Sequence, residues 1–148
     1  MEIILFEPEI PPNTGNIARL TAGLGLRLNL VEPLGFSLDD KNLKRAGLDY
    51  WPLVTYRLFP DWAAFLASWE GGRLVATSAR RGAHFASYAP QASDGLVFGP
   101  ETRGLPPDLL DQADLVFNVP LKPGVRSLNL ATTVGLFLGV ALSRLELT

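Results

Sequence analysis

The chain has 148 residues with a formal net charge of −2, no cysteine and a single histidine, His84. That length fits one domain, residues 1–148, able to bury its own core without staples. The absence of cysteine excludes disulfides, thiol nucleophiles and cysteine zinc sites, and one histidine rules out a multi-histidine metal cluster. No metal is therefore expected, and a nucleic-acid partner would have to be attracted by a local patch rather than by a global field.

The opening "MEIILFEPE" lacks the basic end and small-residue cleavage site of a signal peptide, so a cytoplasmic location is expected. Short apolar runs at 3–6, 28–31, 73–77, 95–98 and 115–119 predict five strands. They alternate with helical patterns at 15–24, 38–46, 61–69, 107–112 and 128–145. This alternation predicts an α/β domain with a mostly parallel sheet flanked by helices. The final apolar stretch, "LNLATTVGLFLGVAL", is interrupted by Asn129, Thr132 and Thr133 and is shorter than a membrane span, so it predicts a buried helix and no membrane association.

Helix ends can be placed from their chemistry. Asn13 or Thr14 is the expected cap of the first helix and Gly25 its stop. Ser37 with Asp40 suggests a capping box, Pro106 and Pro107 suit a first turn, and Ser127 is the expected cap of the last helix. In the first helix, Ile17, Leu20, Thr21 and Leu24 share an apolar stripe, with Arg19 opposite them beside Gly15, Ala22 and Gly23. Small residues around one arginine would admit another backbone, a partner helix or a phosphodiester; a plain exposed surface arginine is the alternative. Gly135 and Gly139 lie four apart on the last helix, which suits close packing either within the subunit or against a second one.

Glycine and proline concentrate after three strands: "EPEIPPNTG", "GPETRGLPP" and "PLKPGVRS". In a parallel sheet these segments leave the carboxyl ends of the strands, where crevices bind ligands. Glu101 could pair with a cation or cap Arg103. "VFGPETRGLP" fits neither the GxxxxGK[ST] loop nor GxGxxG. Without that fingerprint a nicotinamide-dependent oxidoreductase is disfavoured, and a nonenzymatic nucleotide-binding module of flavodoxin-like form stays open. Lys41, Lys44 and Arg45 fall in one short helical segment, with Arg80 and Arg81 after the third predicted strand and Lys122 and Arg126 in the last loop. They form a phosphate-binding surface only if the fold gathers them near Arg19. Tyr88, Trp51 and Trp62 are expected in the core or an interface rather than as base-stacking platforms.

Taken together, "NTGNIARL" (13–20), "LVFGPETRGLP" (96–106) and "VPLKPGVRSLNLA" (119–131) resemble the three motifs of the SpoU (TrmH) branch of the SPOUT RNA methyltransferases, in order and spacing. "EPEIPPNTGNIARL" and "GFSLDDKNLKRAGLDYW" (35–51) extend the likeness to the minimal TrmL-type members, which methylate the ribose 2′-hydroxyl of the tRNA wobble nucleotide, cytidine or modified uridine. The resemblance implies a deep C-terminal trefoil knot, an exception to the avoidance of threaded chains. It also implies S-adenosyl-L-methionine bound in the knotted loops, a homodimer paired through the N- and C-terminal helices, and the tRNA anticodon stem-loop as partner, with no added RNA-binding domain. Carried over, Thr77, Gly99, Glu101, Gly104, Val119, Leu121, Ser127 and Leu128 would line the cofactor pocket. Arg19, Asn16, Ser127 and Asn129 would be catalytic, and Arg19, Lys41, Lys44, Arg45 and Arg126 would bind RNA. The chain departs from the pattern late in its last helix, where Gly139-Val140 replaces a Tyr-Glu pair.

Overall fold

The structure, a computed structural model, describes residues 1–47 and 50–145. Its strands are β1 (Glu2–Phe6), β2 (Arg27–Val31), β3 (Tyr56–Phe59), β4 (Leu74–Thr77), β5 (Ala83–His84), β6 (Gly95–Phe98) and β7 (Leu115–Asn118). They form one seven-stranded sheet in the order β3-β2-β1-β6-β4-β7-β5, and every pairing is parallel. Helices α1 (Pro11–Leu24), α2 (Lys41–Gly47), α3 (Trp62–Ser68), α4 (Pro107–Gln112) and α5 (Leu130–Arg144) complete the fold.

The α/β expectation holds, with two strands more than the five predicted. Both additions are sheet edges. β3, "YRLF", is largely exposed and carries Arg57, so it lacks an apolar run. β5 is a two-residue exposed strand, too short to show a pattern.

Alternation along the central strands divides the core into two layers. Ile3, Leu5, Leu28, Leu30, Leu96 and Phe98 pack with Ile17 and Ala18 of α1 and Val134, Phe137 and Leu138 of α5. Ile4, Val97 and Ala76 pack with Phe65 of α3 and Leu109 and Leu110 of α4. α1 and α5 thereby share the face of the sheet on which Arg19 lies, and α2 packs against α1.

Helix ends correct several expectations. α1 begins at Pro11, and its cap is the extended residue Ile10 rather than Asn13 or Thr14. Pro11 and Pro12 occupy first-turn positions where the missing N–H groups would have no helical partner. Pulled inside the helix, Asn13, Thr14 and Gly15 are buried, so Gly15 does not flank Arg19 on the open side, and Leu24 is exposed rather than part of the apolar stripe. Gly25 does stop the helix, in the left-handed conformation with φ 67°. Asp40, not Ser37, receives the Asn42 N–H of α2 at 2.8 Å, while Ser37 closes a turn with the Asp39 N–H. Tyr88 is fully buried, and Trp51 and Trp62 pack partly buried against the two layers, as expected.

At the amino ends of the strands lies a buried polar network. Asp94 is completely buried. It accepts two bonds from the Arg73 guanidinium at 2.9 and 2.8 Å, the Tyr88 hydroxyl at 2.7 Å and the Gln91 N–H at 2.9 Å. Burial alone would raise the Asp94 carboxyl, but the bonds from Arg73, Tyr88 and Gln91 outweigh it and hold the carboxyl below its ordinary range. Burial and the bond to Asp94 push the Tyr88 hydroxyl upward. Arg144, in the last turn of α5, donates to the carbonyls of Tyr88 and Ala86, which ties the end of α5 to this loop. Among the described residues no helix is long and apolar enough to cross a membrane, and no group of three or more potential ligands could hold a metal ion.

Candidate active site

β1, β6, β4 and β7 are consecutive in the sheet. The segments leaving their carboxyl ends are therefore neighbours: the 7–10 turn into α1, the 99–106 loop, Thr77, and the 119–129 loop into α5. The fold thus brings together three glycine- and proline-rich stretches, with the bond between Asn13 and Asn129 spanning 116 residues.

The first two loops clasp each other. Glu101 accepts the Glu9 N–H at 2.8 Å and the Ile10 N–H at 3.3 Å. Glu9 in return accepts the N–H and hydroxyl of Thr102 at 3.0 and 2.8 Å, and those two bonds hold its carboxyl below the ordinary range. α1 has no acidic residue in its first turn, so Glu101 supplies the negative charge its positive end favours. Among the described residues Glu101 therefore neither pairs with a cation nor caps Arg103. Arg103 lies 3.7 Å from Glu7 instead, and Glu7 has φ 49°, a left-handed turn at the end of β1.

Gly99 is fixed by close approach. A Cβ there would lie 2.5 Å from the Leu105 nitrogen and 2.6 Å from the Gly104 carbonyl carbon. Both are backbone atoms of the same turn, closed by Gly104 N–H donating to the Pro100 carbonyl at 2.9 Å. Gly99→Ala must therefore open the 99–105 turn. The expected result is at least tenfold weaker binding, by calorimetry, of the S-adenosyl-L-methionine that the sequence resemblance implies, with the melting temperature lowered by a few degrees, about 1–2 kcal/mol.

The third loop is joined to the first through two asparagines. Asn129 Nδ2 donates to Asn13 Oδ1 at 2.8 Å, and Asn129 Oδ1 accepts the Thr132 N–H at 3.2 Å. Asn129, rather than Ser127, is the cap of α5. Ser127 is exposed beside half-buried Leu128, and Val119 and Leu121 are also half-buried. Asn129→Ala should cost about 0.5–2 kcal/mol from loss of the cap, and should also lower affinity for the S-adenosyl-L-methionine that the resemblance implies, because the 119–129 loop loses its tie to α1. Parallel urea melts and donor titrations check both.

Arg19 and Asn16 are exposed on the outer side of α1. The Arg19 guanidinium carbon lies 4.6 Å from the Tyr50 ring centroid, and its Nη2 donates to the Tyr50 hydroxyl at 3.4 Å. On α2, Lys41 and Arg45 are exposed, while Lys44 lies 3.6 Å from Asp39 and is partly neutralised. Arg126 and Lys122 stand on the exposed third loop. Arg81 pairs with Asp111 at 2.6 Å and belongs to a surface ion pair rather than to a free patch.

Two open clefts lie away from these loops. One of about 220 Å³ is lined by Glu2, Arg27, Asn29, Arg57 and Trp69, and another of about 560 Å³ by Pro33, Leu34, Phe36, Leu38 and Leu58. Their linings lack the convergent backbone turns of the 99–106 and 119–129 segments.

Sequence reasoning missed Asn13 as a bridge, Glu9 and Thr102 as a clasp, and Tyr50 altogether. Asn13 read equally well as a cap. Tyr50 is separated from Arg19 by 31 residues, and nothing in local spacing could pair them. Residues 48 and 49 of the 35–51 stretch lie outside the described residues.

A wholly parallel sheet with several loops converging at its carboxyl edge is the architecture of an α/β domain that binds a nucleotide-like ligand. Residues 1–139 match the SpoU rRNA Methylase family. A tRNA (cytidine(34)-2′-O)-methyltransferase from Methylovorus glucosotrophus (strain SIP3-4) is 48% identical over 139 residues, covering 93% of this chain and 90% of that protein. A solved structure described as giving structural insights into the 2-OH methylation of C/U34 on tRNA is 46% identical, with TM-score 0.94, and covers 98% of this chain and 95% of that one. The SpoU methyltransferase AviRb from Streptomyces viridochromogenes, solved with AdoMet, shares the fold at 21% identity and TM-score 0.84, covering 97% of this chain and 57% of that one. The chain belongs to the SpoU methylase family.

Proposed function

We propose that this chain transfers a methyl group from S-adenosyl-L-methionine to the ribose 2′-hydroxyl of the tRNA wobble nucleotide, cytidine or modified uridine. The observation that carries this reading is the gathering of three loops at the carboxyl ends of four consecutive strands, beside an arginine left open on α1.

The residues present fit the methyl donor. Its adenosine calls for a neutral cradle rich in backbone donors and acceptors, and the Gly99–Leu105 turn lies so close to itself that any side chain at 99 would fill it. Thr77, Gly99, Gly104, Val119, Leu121, Ser127 and Leu128 would hold the nucleoside, with Glu101 acting through its clasp on α1. When bound, S-adenosylmethionine supplies a methyl on a positively charged sulfur, a group reactive once a nucleophile is aligned with it. Alignment can contribute roughly 7–11 kcal/mol in favourable cases. Arg19 and Asn16 would face the RNA. A guanidinium in a protein keeps its proton, so Arg19 serves as a clamp on the adjoining phosphate and steadies charge developing on the ribose oxygen, while the hydroxyl proton passes to water. Ser127 stands on the loop that Asn129 ties to Asn13, which supports the reading that both act beside the methyl donor.

The finer assembly follows the same reading. The chain leaves β7 near one edge of the sheet, returns through the 119–129 loop so that α5 packs on α1, and α5 ends hydrogen-bonded to the Ala86 and Tyr88 carbonyls, which suits a trefoil knot. Within the described residues a Cβ added at Gly135 or Gly139 meets nothing within 4 Å, so these positions do not serve packing inside the subunit and suit a homodimer built on α1 and α5. The enzyme would act in the cytoplasm on the anticodon stem-loop, with Lys41, Lys44, Arg45 and Arg126 as phosphate contacts whose binding weakens steeply with salt.

The test is incubation of the purified protein with unfractionated tRNA and methyl-labelled donor. Label in tRNA that resists alkaline cleavage at a single ribose supports the reading. Thermal stabilisation by a flavin nucleotide or NAD, with no label transferred, would replace it by a binding module.

A further inference from the structure

Arg19 is unusual among the cations of this chain in what restrains it. Arg27, Lys44, Arg73, Arg81 and Arg103 each lie within 4 Å of a carboxylate. Arg19 is held by an aromatic ring: Tyr50 lies under the guanidinium at 4.6 Å, with a long hydroxyl contact of 3.4 Å. Its neighbour one turn along α1, Gly23, leaves open space around it. The difference matters chemically. A carboxylate partner would cancel the charge and occupy the N–H edge with which arginine grips a phosphate. A ring takes the flat face and lowers the number of orientations the side chain samples; among the described residues it leaves the charge unpaired and, apart from the one long contact from Nη2, the N–H fork open to a ligand.

We infer that Tyr50 is the positioning residue for Arg19, orienting the guanidinium toward RNA without neutralising it. This rests on the catalytic reading of Arg19 above. Tyr50 sits after the α2 segment, at the start of the 3-10 turn Trp51–Leu53, so the ring reaches α1 from a different part of the chain and its hold is independent of helix formation. The long hydroxyl contact makes the ring, not the hydroxyl, the working group.

The experiment compares Tyr50→Ala, Tyr50→Phe and Tyr50→Trp in steady-state methylation of tRNA, alone and combined with Arg19→Lys. Tyr50→Ala should lower kcat about fivefold, the scale of an exposed cation–π contact, with KM for tRNA changed less than twofold and the melting temperature within a few degrees of the parent. Phe and Trp should restore the parent rate, and Tyr50→Ala should add nothing once Arg19 is lysine. A Tyr50→Ala rate equal to the parent, a Phe variant as slow as Ala, or an undiminished effect in the Arg19→Lys background each overturns the inference. Failure of the catalytic reading itself looks different: Arg19→Lys alone would then methylate at the parent rate.

Discussion

Arg19→Lys should lower kcat for tRNA methylation by about a hundredfold, with binding of S-adenosylmethionine and the melting temperature expected to stay at the parent values. The magnitude is that of removing one preorganised donor from a site where charge develops, about 10²–10³ in rate. Lysine keeps the positive charge but loses the planar fork, and at a two-point contact that exchange is not conservative. Stability is untouched because the side chain is exposed on α1 and makes no ion pair with a described carboxylate. Single-turnover kinetics with donor in excess separate the effect on chemistry from one on RNA affinity. A lysine variant that methylates normally would falsify the clamp.

The second large effect lies at the other end of the sheet. Asp94→Ala should lower stability by about 2–4 kcal/mol, since removing a fully buried carboxylate strands its partners, an effect moderated only by Arg73, whose side chain is 29% exposed. Here those partners are the Arg73 guanidinium, the fully buried Tyr88 hydroxyl and the Gln91 N–H. A surface pair supplies the comparison: in Arg81–Asp111 the side chains are 45% and 66% exposed, and Asp111→Ala should cost under about 1 kcal/mol. Urea midpoints of the two variants at neutral pH check the ordering. The acid response follows from the same group. A carboxyl held below its ordinary range in the folded state contributes stability that is complete above the unfolded-state value, about 4, and is lost as pH falls through the folded one. The parent protein should therefore lose stability steeply below about pH 4, and Asp94→Ala should show a shallower acid limb.

Legibility in the sequence tracked how local each determinant is. Buried central strands announced themselves as apolar runs, and Gly25 as a helix stop, because each signal lies within a few residues of its effect. β3 was hidden because an edge strand exposed on both sides needs no apolar pattern. Caps failed for a related reason. Asn13 and Ser127 have the right chemistry to cap, but the Pro11-Pro12 pair moves the start of α1 upstream, and Asn129 takes the position at α5. The three site loops could be named from their glycines and prolines, whereas their mutual arrangement depends on strand order, in which β6 and β4 are inserted between β1 and β7. Contacts such as Glu101 with the start of α1, or Tyr50 with Arg19, span 91 and 31 residues and exist only once that order is set. Glu101 illustrates the consequence: a residue picked out for charge pairing proves to work through two backbone N–H groups.

The most direct test of methyl transfer at the wobble ribose uses two synthetic tRNAs, identical except that one carries a 2′-deoxyribose at position 34. Each is incubated with the protein and S-adenosylmethionine, digested with nuclease, and the fragments weighed by mass spectrometry. The all-ribose tRNA should gain one methyl mass in the fragment containing position 34, and the deoxy tRNA none anywhere. Equal methylation of both, or a methyl mass confined to another fragment, would contradict the account.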